Sequence, residues 1–238
     1  MIVEVSRGQN IIRILSDSFL SCLIVKQALV VNWPDCRGSV GEYYAISNFA
    51  SEDRYKLTNK LDSVLINGNE DQILESITSF LDLFSNGKYE IFFNELNLKK
   101  CSFHHENQVI YSESVPEIEK FSNGFYPFPF ENEDYFFTIL KKDLNLERIE
   151  YYIDLIEKGI RPKIIVFESY NINTGYYSSS YILDGHHKLS AYLKLGINIP
   201  AVWIRNAENE EDNTEEILKY IKPILKDFEY DHIIKNNK

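Results

Sequence analysis

Five consecutive residues, Asp184, Gly185, His186, His187 and Lys188, bring a carboxylate, a turn residue, two imidazoles and an ammonium together. They stand where an apolar, β-type run, "YIL", gives way to "HHKLSAYLKLG", whose apolar spacing is helical. A chain that turns from strand straight into helix leaves the first N–H groups of that helix unpaired and pointing outwards. With the positive end of the helix dipole they make a seat for an anion. Gly185 has no Cβ, so it allows the sharp turn and lets a phosphate come near the backbone. The same helix end favours the neutral imidazole, so His186 or His187 can accept a proton at neutral pH as well as donate one. The expected phosphate-binding residues are Gly185, His186, His187 and Lys188, and the expected catalytic pair is His187 and Asp184. Asp184 would orient a ring or hold a metal that accompanies a nucleotide.

Other residues compete for chemical roles. Adjacent histidines on a helix diverge by about 100° and do not grip one ion as an i, i+4 pair does, so His186 and His187 predict no metal site. A second pair, His104 and His105 before Glu106, reads as an exposed turn for the same reason. "ENED", from Glu131 to Asp134, is a solvated acidic loop or, through Glu131 or Glu133, the source of a general base. Tyr176 and Tyr177 could stack on a base, although such pairs more often pack a hairpin.

The elements that must position the corner are clearest in the last third. "LNLERIEYYIDLIEKGIRP" places Leu146, Ile149, Ile153 and Ile156 on one helical stripe, with Gly159 as its stop and Pro162 beyond. "KIIVFES", "SYILD" and "IPAVWIR" read as strands, and the helix of the corner buries Leu189, Tyr192 and Leu193 before its cap at Gly196. "TEEILKYIKPILKDF" is a helix with Thr214 as N-cap, which Pro223 must kink or divide. Strand, helix and strand in succession predict an α/β layer. Up to about residue 68 the signals are strand-like, and one helix is expected from about Glu70 to Asn86, where Ile73, Leu74, Ile77, Phe80, Leu81 and Phe84 recur at spacings of three and four. "KYEIFFNEL" and "NQVIYSES" look like strands of a meander. The Asn-Gly and two prolines in "SNGFYPFPFENEDYF" suggest a boundary there, giving residues 1–125 and 126–238 as two domains.

Composition bounds the function. The 238 residues, 44% of them hydrophobic, suffice for a substantial core. A net charge of −11 disfavours wrapping an extended nucleic acid. From Lys158 to Arg205, however, six basic residues face two acidic ones, while from Asn206 to Lys238 five basic residues face nine acidic ones. A basic window within an acidic protein suits a small anionic ligand. Three cysteines without CxxC spacing give no disulfide framework and point to the cytoplasm. The stretch "FLSCLIVKQALVV" is too short and too charged to span a membrane, and no cleavage-site pattern follows it.

"LIEKGIRPKIIVFES…YILDGHHKLSAYLKLGINIPAVWI" resembles the ParB/sulfiredoxin-like superfamily over residues about 146–204. The shared order is helix, Gly, Pro and strand, then a G-x-[HR]-[RK]-x-x-A box, here Gly185, His186, His187, Lys188 and Ala191, followed by Gly196 and Pro200. The resemblance implies a nucleotide-phosphate site at the box, in a superfamily of nucleotide-hydrolysing partition proteins, sulfinic-acid reductases, a serine kinase and nuclease-like members. His186 stands where the reductases keep a cysteine, so that chemistry is not expected. Lys188 in place of the usual arginine keeps the charge and loses bidentate phosphate geometry. The expected fold is α+β, a C-terminal ParB/sulfiredoxin-like α/β domain behind a mainly β N-terminal domain with one helix. The expected function is a cytosolic phosphotransferase or nucleotide hydrolase using ATP, ADP or CTP with Mg2+. A non-catalytic module whose N-terminal domain meets a protein partner, and a ParB-like nuclease, are the alternatives.

Overall fold

The computed structural model describes residues 1–16, 21–34, 42–46, 61–104, 108–109, 133–168, 180–208 and 214–223, and singly 225, 227, 230, 231 and 234. The fold is α+β and layered around two sheets. The first is mixed, with seven strands: β1 (Ile2–Val5), β6 (Gly87–Leu96), β12 (Ile199–Asn206), β10 (Ile164–Glu168), β11 (Ser180–Asp184), β9 (Glu133–Phe137) and β7 (Cys101–His104), in that spatial order. The second is an antiparallel run of β2 (Ile12–Ser16), β3 (Ser21–Val25), β4 (Gln27–Pro34), β5 (Glu42–Ile46) and β8 (Gln108–Val109).

Alternation along each strand decides what covers each face. Tyr89, Ile91, Ile165, Phe167, Val202 and Ile204 of the large sheet turn towards Leu23 and Val25 of the small one and towards Ile73, Ile77 and Phe80 of α2 (Glu70–Phe80). On the opposite face Ile164, Val166, Ala201 and Trp203 meet α3 (Leu146–Glu157) and α4 (His186–Leu195). The outer face of the small sheet, with Leu15, Cys22 and Ile24, is closed by Ile217 and Ile221 of α5 (Thr214–Ile221). A buried hydrogen bond of 2.7 Å between the Ser21 and Tyr181 hydroxyls ties the two sheets together. No helix among the described residues is long and apolar enough to cross a membrane.

Several expectations change. Strands from both sides of residue 125 share the large sheet: β12 alone pairs with β6 over eight positions, from Ile199 opposite Leu96 to Asn206 opposite Tyr89. The division into 1–125 and 126–238 therefore does not separate two sheets. Residues 61–67, read as strand-like, are helical and form α1, so more than one helix precedes the expected boundary. Leu61 and Leu65, one turn apart, bury one face of α1 in the core, which is the spacing a helix needs. The helix expected to reach Asn86 ends as α2 at Phe80 and continues as a 3₁₀ turn over Leu81–Leu83. In α3 the buried stripe is Ile149, Tyr152 and Ile156, while Leu146 is exposed; in α4 Leu189 and Tyr192 are buried and Leu193 is not. Gly159 and Gly196 take the left-handed conformation at the helix ends, and α5 stops at Ile221, two residues before Pro223.

Candidate functional site

The corner at Asp184 is built by a bulge, a left-handed glycine and three converging helices. Val166 of β10 pairs with Ile182, but Ile165 pairs with Asp184, so Leu183 is an extra residue in β11 and the strand bends as it ends. Gly185 then takes φ +92° and is the N-cap of α4. A Cβ on Gly185 would lie 2.7 Å from Cγ2 and 3.1 Å from Cα of Ile164. The space that glycine opens is thus filled by Ile164. Gly185 lets α4 lie against β10 on that side.

The two histidines part company. His186 is only 8% exposed: its Nε2 lies 2.8 Å from the Thr138 hydroxyl, which also donates to the Ile182 carbonyl at 2.7 Å, and its ring packs on Phe137. Its side chain is set in the interior against Thr138 and Phe137. His187 is half-buried, and its Nε2 accepts the Asn145 backbone N–H at 3.0 Å. That bond places the ring proton on Nδ1. Burial, with the positive charge of Arg148 after it, pushes the imidazole down to about 4. His187 is therefore neutral at neutral pH and carries its proton on Nδ1, as a hydrogen-bond donor.

Lys188 is paired within the protein. It is 1% exposed, and its ammonium lies 2.8 Å from Oδ1 of Asp62 and 3.5 Å from Oδ2 of Asp184. Asp62 comes from α1, more than a hundred residues upstream and outside the region that carries the resemblance. The Tyr152 hydroxyl donates to its two oxygens at 3.0 and 3.3 Å, and the Arg148 guanidinium stands 3.7 Å away. Burial opposes charge on Asp62, but Lys188, Tyr152 and Arg148 together hold its carboxyl below the usual range. Burial first, and then the Asp62 charge, push the Tyr152 hydroxyl up, so it remains a donor. Two carboxylates and two cations balance within the cluster.

Asp184, Gly185, His187 and Lys188 are thus brought together with Asp62, Arg148 and Tyr152, the members that sequence reasoning missed. The spacing of Arg148 and Tyr152 on one face of α3 was a usable signal; nothing local marks Asp62. Glu133 begins β9, whereas Glu131, His105, Glu106, Tyr176 and Tyr177 lie outside the described residues.

What remains open is the end of α4. Gly185 supplies no side-chain cap, and among the described residues the amides of His187 and Lys188 meet no protein acceptor. Arg148, with 44% of its side chain exposed, is near enough to the His187 ring for its charge to disfavour the imidazolium. Unpaired amides at a helix start favour an anion. A divalent ion shared by Asp62 and Asp184 does not fit, because Lys188 already stands between them, and among the described residues no three His, Cys, Asp or Glu side chains gather to hold a metal. An ion carried on a ligand's own phosphates is a separate matter. A groove of about 540 Å³ lined by Glu215, Glu216, Lys219 and Tyr220 lies on α5, against the other sheet, and has no part in this cluster. Compared with protein-family models, with curated proteins and with solved structures, the chain matches none.

Proposed function

We propose that the chain binds a phosphate group, free or carried by a nucleotide such as ATP, ADP or CTP, at the start of α4. The observation that carries this reading is the pair of unpartnered amides, His187 and Lys188, at the end of a ten-residue helix, with the Arg148 charge acting on the His187 ring. Arg148 supplies the planar donor that Lys188 lacks. The resemblance of residues 146–204 to the ParB/sulfiredoxin-like superfamily points the same way. In the catalytic form of this proposal, a cytosolic phosphotransferase or nucleotide hydrolase, an acceptor oxygen attacks phosphorus, its proton passes to Asp62, and the bond to the leaving phosphate breaks. His187 and the helix amides stabilise charge on the transferred group. Asp184 holds Lys188, which holds Asp62.

A second reading is favoured by the inward commitment of His186 and Lys188: a non-catalytic module in which the anion, or a protein partner of the N-terminal half, acts without turnover. The net charge of −11 weighs against a nuclease. Thermal shift with inorganic phosphate, ATP, ADP, CTP and GTP, with and without Mg2+, tests the proposal on wild type and Arg148→Ala. A saturable shift that Arg148→Ala weakens about tenfold or more supports it, given the worth of a charge-assisted hydrogen bond. No shift with any of these ligands refutes it, and a shift without nucleotide turnover selects the second reading.

A further inference from the structure

We infer that Lys188 is the resident cation of the Asp62–Asp184 pair: its ammonium takes the place of a divalent ion, so that the carboxylates bind no metal while it is there and acquire a metal site when it is removed. The two acids come from distant parts of the chain, α1 and the end of β11, and both face one nitrogen, at 2.8 and 3.5 Å. Their side chains are 35% and 18% exposed, whereas Lys188 is 1% exposed. The cation is therefore the innermost member of the cluster, and it cannot leave by a simple rotation into water. The Tyr152 ring lies 5.7 Å from the ammonium, a contact that suits an organic cation. The Tyr152 hydroxyl donates to Oδ1 of Asp62, the oxygen that also pairs with the ammonium.

Two carboxylates without Lys188 would face each other in a partly buried space about as long as a lysine side chain. Such a space holds the oxygen ligands and waters that a hard divalent cation prefers. With Lys188 in place, an incoming ion would meet a fixed positive charge at close range in a medium of reduced dielectric. The inference does not depend on phosphate binding, and either can fail alone.

Mn2+ is the probe, followed by electron paramagnetic resonance and by melting temperature against KCl of equal ionic strength. Wild type and Asp184→Asn are expected to give the same Mn2+ signal. Lys188→Ala is expected to gain saturable Mn2+ binding and a rise in melting temperature of about 5 °C at a hundredfold excess over the dissociation constant, both lost in Lys188→Ala/Asp184→Asn. If Lys188→Ala does not fold in KCl, refolding is compared with and without Mn2+, and recovery only with Mn2+ supports the inference. Wild-type Mn2+ binding that Asp184→Asn abolishes overturns it. So does a Lys188→Ala protein that folds and takes up no Mn2+, or one that folds in neither condition.

Discussion

Gly185 and Gly196 stand at the two ends of α4, both with positive φ, yet they answer to different constraints. At Gly196, φ +67°, a Cβ would meet nothing within 4 Å, so only the left-handed backbone favours glycine. At Gly185 the backbone preference is joined by the contact with Ile164, whose Cγ2 would lie 2.7 Å from an added Cβ. Gly196→Ala is expected to cost about 1–2 kcal/mol, the price of one left-handed residue with a side chain. Gly185→Ala is expected to cost about 1–3 kcal/mol more, because a close-packed interior gives way only by shifting α4 from β10. Urea denaturation of both variants measures the difference. Equal losses would show that Ile164 yields freely and that the packing argument for Gly185 is wrong.

At the scale of elements, α1, α3 and α4 are joined at polar positions as well as apolar ones. The Asn145 side chain caps α3 by accepting the Arg148 N–H, while its backbone N–H goes to His187 of α4. This second bond exists only with a neutral acceptor at Nε2. Because the His187 imidazole is pushed down to about 4 from its ordinary 6.5, the unfolded chain takes up this proton first as the pH falls. The stability His187 contributes is complete above about 6.5 and is lost as the pH falls through about 4. Asp62, also lowered, gives way only below its ordinary 3.8, so the two windows are separate. His187→Gln keeps an acceptor for Asn145 and removes the titration. It is expected to flatten the decline in denaturation midpoint between neutral pH and about 4, and an unchanged slope would show that the proton is taken up elsewhere. How far these elements were legible in the sequence depended on the range of the forces that build them. The strands β10, β11 and β12, the helices α3 and α4 and the corner between Asp184 and Lys188 were readable, because periodicity and glycine placement are local. Asp62 was not, since its role follows from a fold that brings α1 to Lys188 across more than a hundred residues. Nor was the inward turn of His186, which depends on Thr138 at the end of a strand that enters the sheet from elsewhere.

Over the whole molecule, the same long-range pairing makes the candidate site a property of the entire chain. β12 lies between β6 and β10, so a strand from the first half of the sequence shields one edge of the strands that support α4. Val202 and Ile204 of β12 reach the core they share with Leu23, Val25 and Ile77, all upstream of residue 125. The backbone N–H of Lys163, just before β10, donates to the Leu65 carbonyl of α1 at 2.8 Å, next to the helix that supplies Asp62. A fragment of residues 126–238 would keep α3, α4 and the whole segment that resembles a known superfamily, but it would expose β12 along an eight-residue edge and leave Lys188 without Asp62. Such an edge invites pairing with other chains, and a buried cation deprived of a partner is destabilising by about 3–5 kcal/mol, reduced here by the partial exposure of Asp62. The fragment is therefore expected to aggregate, or to melt without a cooperative transition, where the full chain unfolds in one. A monomeric fragment with a sharp calorimetric transition would show instead that the second half is an autonomous domain, and that the first half was added to a site already stable without it.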